Sequence, residues 1–147
     1  MAVLGLVVVS PASPALAASG CGSKCDFEDP QYFIWTYAGP APGVATRCYQ
    51  DAVTKKTNTN IALRYSPSCR TAWAKNTATT APSGTNHYWT VEVQRFKVGG
   101  AKIDSAWGDN WSLMLNDAGY ESRACIYNTY RDGESEVRTK QVCTAKY

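Results

Sequence analysis

Tyr88-Trp89-Thr90-Val91-Glu92-Val93-Gln94-Arg95-Phe96-Lys97-Val98 is the stretch that decides the fold class. Its alternation puts Trp89, Val91 and Val93 on one face and Thr90, Glu92 and Gln94 on the other, the pattern of a strand with one buried side. Gly99-Gly100 follows and predicts a turn. Downstream, 102–107 and 111–115 read as two more strands, the second with Trp111, Leu113 and Leu115 alternating. Residues 121–130 and 135–145 flank Asp132-Gly133, a strong hairpin signal. Upstream, Ile61, Leu63 and Tyr65 alternate with Ala62 and Arg64. A short strand is expected within 44–58, and 76–86 reads as a loop. Strands joined by short turns predict a mainly β chain, a single antiparallel β sandwich or barrel-like domain. One short helix is expected near 67–75, because Ser66-Pro67-Ser68 offers a cap and a proline at the first turn.

Six cysteines lie downstream of an apolar leader: Cys21, Cys25, Cys48, Cys69, Cys125 and Cys143. Val3 to Val9 is an apolar run too short to span a bilayer, which needs about 20 residues. Ala15-Leu16-Ala17-Ala18 supplies an A-x-A cleavage signal. The reading is a signal peptide over 1–18 and a secreted, extracellular domain over 19–147, with no membrane insertion after cleavage. Cys21 also follows part of a lipobox, but lipidating it would leave an odd number of thiols. An even number in an exported chain predicts three disulfides, with fifteen pairings open. Cys125 and Cys143 sit on the two arms of the last hairpin and are the preferred pair. A tight turn at Asp132-Gly133 would not set them opposite, so the pairing requires a bulge or a longer loop. No metal and no cofactor are expected. Only Cys21 and Cys25 are close in sequence, whereas structural zinc sites usually show two close ligand pairs.

The net charge is +3, unevenly spread. Residues 47–102 hold nine basic and two acidic side chains, and 103–136 hold seven acidic and two basic. Kept apart in space, these would give one positive and one negative region. The chain has no basic run or nucleic-acid motif, so no nucleic-acid partner is expected.

Three segments carry a resemblance. They are Cys21-x3-Cys25-x3-Asp29-Pro30, Cys48-x2-Asp51-Ala52, and Leu63-Arg64-Tyr65-Ser66-Pro67-Ser68-Cys69-x2-Ala72-Trp73-Ala74-Lys75. The chain resembles the YjfA-like family of small secreted proteins of Gram-positive bacteria, chiefly actinomycetes, a domain of unknown function. The similarity covers 21–75, with weaker echoes at Arg123-Ala124-Cys125 and Cys143-Thr144. It implies secretion and disulfides, and it implies no reaction. The longer stretch between Pro30 and Cys48 and the tryptophan-rich 76–121 depart from the pattern.

The catalytic candidates are thin. His87 is the only histidine and is expected to be solvated in a loop. Glycan hydrolysis needs paired carboxylates across a cleft, and the candidates are Asp29, Asp51, Glu92, Asp104, Asp109 and Asp117. Asp29 before Pro30 suits a turn. Asp51 suits a turn cap or a pair with Arg64, and Arg64 and Arg70 are expected in structural ion pairs with Asp29 and Asp51. The binding candidates are aromatic: Tyr32, Phe33, Trp35 and Tyr37, then Trp107 and Trp111, which with Trp35 would form one aromatic surface. The expected function is non-catalytic binding of a cell-surface glycan, a wall polymer or another secreted protein. A carboxylate hydrolase and an adaptor, toxin or inhibitor subunit of a secreted assembly are the alternatives.

Overall fold

The computed structural model describes residues 20–36 and 45–147. The predicted leader and Tyr37 lie outside the described residues. Two four-stranded antiparallel sheets face each other, so the chain is a sandwich rather than a barrel. The first sheet has the order β3-β4-β5-β8, from Val53–Asn58, Ile61–Ser66, Thr71–Asn76 and Leu115–Asn116. The second has the order β10-β9-β6-β7, from Ser135–Cys143, Tyr120–Asp132, His87–Lys97 and Lys102–Gly108. A small hairpin, β1 (Ile34–Thr36) with β2 (Ala45–Arg47), stands beside them.

Alternation places the core. Ile61, Leu63, Ala72, Ala74 and Leu115 from the first sheet pack on Val91, Val93, Ala106, Ala124 and Ile126 from the second. Burial of this apolar surface is the main favourable term in folding. Trp89 packs against the same cluster, as its parity with Val91 requires. A second cluster gathers Cys21, Cys25, Cys48, Cys69, Trp73 and Met114, with Phe33, Trp35 and Trp111 against it.

The helix expected near 67–75 does not form. Pro67–Arg70 is a turn, and Thr71–Asn76 is β5, paired antiparallel to β4 from Ser66↔Thr71 to Ile61↔Asn76. The capping signal is real but serves the turn: the Ser66 hydroxyl accepts from the Cys69 N–H at 3.2 Å. Arg70 then takes φ 55°, which a helix interior does not tolerate, and the chain reverses. The expected strand at 111–115 is also shorter than its alternation suggests. Trp111 makes a lone bridge to Lys75, and only Leu115–Asn116 is β8.

Three cysteine pairs are at disulfide distance: Cys21–Cys25, Cys48–Cys69 and Cys125–Cys143. The last closes the β9–β10 hairpin through a bulge between Lys140 and Val142, which brings Cys143 opposite Cys125. One helical turn, Gly22–Cys25, is of 3₁₀ type. No helix among the described residues is long and apolar enough to cross a membrane.

In the second sheet strand order brings opposite charges together. β6 lies between β7 and β9, so Arg95 meets Asp104 across the ladder and Asp26 from the N-terminal segment. Burial lowers the Arg95 pKa, but the hydrogen bonds and charges of Asp104 and Asp26 outweigh it and raise it overall. Lys102 likewise approaches Glu92 at 3.7 Å. Around β6 and β7 the expected positive and negative regions therefore interleave.

Candidate functional site

The candidate site is the face of the second sheet turned away from the core. Alternate residues of neighbouring strands share a face. With Val91 and Val93 inward, Thr90, Glu92 and Gln94 project outward, yet they are only 4 %, 2 % and 5 % exposed. Long side chains from the adjacent strands cover them. The Tyr127 hydroxyl donates to Glu92 Oε2 at 2.5 Å, and Gln94 Nε2 donates to the same oxygen at 2.6 Å. Arg123 Nε donates to Gln94 Oε1 at 2.7 Å, and the Thr90 and Thr129 hydroxyls share a 2.6 Å hydrogen bond. Trp107 packs on Tyr127 with ring centroids 4.8 Å apart, and the Arg138 guanidinium lies 4.4 Å above Trp107. Burial, then the hydrogen bond and charge of Glu92, push the Tyr127 phenol well above the usual tyrosine range.

Above this layer opens a groove of about 440 Å³. All four strands supply its walls: Tyr88 and Thr90 from β6, Trp107 and Gly108 from β7, Arg131 from β9, Glu136 and Arg138 from β10. Asp109 completes it from the turn after β7. A second hollow, of about 400 Å³, shares Tyr88 and Asp109 and continues past His87, Trp89 and Asn110. Arg138 and Glu136 form an ion pair at 2.6 Å on the rim. The groove thus offers aromatic faces, two carboxylates and two guanidiniums at one place. An extended polar ligand with some apolar surface fits that composition.

The structure scatters the sequence candidates. Trp107 is in the groove, but Trp35 and Trp111 pack on the cysteine cluster, so the three form no common surface. Trp111 donates its indole N–H to Asp29 Oδ2 at 3.2 Å and lines a small hollow of about 90 Å³ with Tyr49, Trp73, Arg64 and Lys75. In the 32–37 run, Tyr32 is 73 % exposed, Phe33 is half-buried, and Trp35 keeps a buried indole N–H with no partner. Among the described residues, the expected ion pairs of Asp29, Asp51, Arg64 and Arg70 are not made. Asp29 Oδ1 accepts from the Gln31 N–H, a turn. Asp51 accepts from the Ser66 hydroxyl and the Ser68 N–H, tying down the β4–β5 turn. Arg64 donates to Thr54 Oγ1 and the Ala52 carbonyl.

Other candidates find structural partners. His87 is not in a loop but opens β6, stacked on Tyr130 at 4.7 Å, with its Nδ1 2.7 Å from Asn128 Oδ1. Asp104 holds Arg95. Asp117 is buried and accepts from the Ser122 hydroxyl. Of the candidate carboxylates, only Asp109 reaches the groove. Tyr88, Thr90, Arg131, Glu136 and Arg138 were not singled out by sequence. The available signal was the shared outward parity of β6, β9 and β10.

A family model described as "Protein of unknown function (DUF2690)" matches residues 24–125. The match takes in Cys25, Cys48, Cys69 and Cys125 and the Arg64-Tyr65-Ser66-Pro67-Ser68-Cys69 segment. No curated protein and no solved structure matches the chain.

Proposed function

The chain belongs to the DUF2690 family, and we propose that it is a secreted, non-catalytic domain that binds a surface glycan or wall polymer in the groove over β6, β7, β9 and β10. One observation carries this reading: Tyr88 and Trp107 share that groove with Asp109, Glu136, Arg131 and Arg138. Aromatic faces take the C–H side of a sugar ring, and fixed carboxylates and guanidiniums exchange hydrogen bonds with hydroxyl and acidic substituents. Secretion is supported by the apolar leader and the three cysteine pairs, because disulfides persist in oxidising compartments.

The test is retention of the mature chain on purified wall fractions and a glycan array. Trp107→Ala should weaken retention about tenfold or more, the loss of roughly 1.4 kcal/mol, measured at a temperature where far-UV circular dichroism shows the variant fully folded. Retention on a secreted protein alone, or equal retention of the variant, would overturn the proposal.

A hydrolase is the second reading, because Asp109 and Glu136 line the same groove. It requires bond cleavage. New reducing ends that vanish in Asp109→Asn and Glu136→Gln would favour it over simple binding.

A further inference from the structure

Four sulfurs from three separate segments meet at one point that shares no residue with the groove. Cys21 and Cys25 bracket the 3₁₀ turn, Cys48 follows β2, and Cys69 sits in the turn between β4 and β5. Their Sγ atoms all lie within 4.8 Å of one another. Cys21 is 4 % exposed and the other three are fully buried. The Cys21 N–H donates to the Cys69 carbonyl at 3.1 Å, which locks the first segment onto the third. Zinc holds thiolates at about 2.3 Å in a tetrahedron, which sets the sulfurs about 3.8 Å apart. In the structure the sulfurs are joined in two bonded pairs, Cys21–Cys25 and Cys48–Cys69, and the widest separation between any two is within 4.8 Å, so reduction has only to let each pair part to reach that spacing.

The surroundings hold one unused donor packed on the sulfurs. A divalent cation with four thiolates carries a net negative charge and needs donors around it. Trp35 packs on the cluster and keeps a buried indole N–H without a partner. The Lys24 ammonium lies 5.9 Å from the centre of the Trp35 ring. Sequence spacing hid the arrangement: Cys48 and Cys69 are 21 residues apart and become neighbours only through the Asp51-anchored β4–β5 turn.

We propose that the reduced chain binds one thiophilic divalent cation of the zinc or cadmium type through Cys21, Cys25, Cys48 and Cys69. Each disulfide takes two electrons and two protons from a dithiol, which itself closes to a disulfide. The four thiols then give up four protons as the cation binds. Two external disulfides reverse both steps: they accept the four electrons and four protons, become four thiols, and the cation is released as the two bridges reform. The same four sulfurs thereby serve as two disulfides under oxidising conditions and as a tetrathiolate under reducing ones.

The experiment uses the mature chain, reduced anaerobically with a phosphine that leaves as its oxide, then mixed with cadmium ion. Native mass spectrometry counts bound cations, sulfur-to-cadmium charge-transfer absorption identifies the ligands, and far-UV circular dichroism follows the strands. The expected result is one cadmium per reduced chain, none on the oxidised chain, and the same binding in Cys125→Ser/Cys143→Ser. Cys48→Ser/Cys69→Ser should bind about tenfold or more weakly. If reduction unfolds the chain, cadmium should restore the strand signal as it binds. No cation on the reduced chain, equal binding by the oxidised chain, or equal binding by Cys48→Ser/Cys69→Ser would each overturn the proposal.

Discussion

The Tyr127 hydroxyl donates to Glu92 Oε2 at 2.5 Å, on the sheet face that alternation alone assigns to water. Glu92 is nearly fully buried there, and its other direct donor is Gln94. Tyr127→Phe removes one donor from a buried carboxylate. A loss of about 1–3 kcal/mol in urea unfolding is expected. The phenol's raised pKa gives a second readout. In the unfolded chain Tyr127 ionises near pH 10, while in the folded chain it stays protonated above that. Its contribution is therefore complete below about pH 10 and is lost as pH rises further. Ultraviolet titration of the folded protein should show the same tyrosinate count near pH 10 for wild type and Tyr127→Phe.

Asp117 follows the same sign in a lower pH window. Burial raises its carboxyl from 3.8 to about 6, against the Ser122 hydroxyl and the charges of Arg95 and Arg70, which lower it. The folded chain then holds the proton more tightly than the unfolded chain. This group's stabilising contribution is fully present below about pH 4 and is lost as pH rises through about 6. Two pKa units correspond to about 3 kcal/mol. Asp117→Asn keeps an acceptor for Ser122 and carries no charge. It should be more stable than wild type at about pH 7.5, with the difference shrinking toward pH 4, as measured by urea midpoints.

These two sites show what the sequence can and cannot reveal. The periodicity of 88–98 and the glycine turns around it identify β6, β7, β9 and β10, because burial of one face imposes a period of two. The 67–75 segment misleads because Ser-Pro-Ser caps a helix start and a hairpin turn alike. The choice is made by partners far away in sequence, Asp51 and Cys48. The groove is hidden for a related reason. Tyr88, Trp107, Arg131 and Glu136 become neighbours only through strand order and register, and alternation reveals a face without revealing what lies beside it. Trp35 and Trp111 were drawn to the cysteine cluster, where buried aromatic area contributes to the core instead of to a surface.

Gly108 marks where the groove depends on backbone. A Cβ there would lie 1.9 Å from the Trp111 carbonyl oxygen, so any side chain forces the 109–112 turn to move. That turn carries Asp109 into the groove. Gly108→Ala should cost about 1–3 kcal/mol by overpacking. The near-UV dichroism of Trp107 and Trp111 should change with it. An unchanged spectrum and midpoint would show that the turn yields freely.

The β9–β10 hairpin gives a prediction about register. From Asp132↔Ser135 to Tyr127↔Lys140 the ladder keeps one offset, and continuing it would set Val142 opposite Cys125. The bulge at Gln141 shifts the ladder by one residue and brings Cys143 there instead, with Cα atoms 4.0 Å apart. Deleting Gln141 removes the extra residue, so a regular ladder would deliver the same cysteine to the same place and face. Inserting an alanine after Thr139 adds a second unpaired residue and turns the cysteine to the other face unless the bulge widens. Non-reducing peptide mapping should find the Cys125–Cys143 bridge in the deletion variant. In the insertion variant it should find two free thiols, with a stability loss of about 3 kcal/mol, the usual effect of opening a loop of this length. Loss of the bridge in the deletion variant would mean that the bulge itself, and not the register it sets, holds the cysteines together.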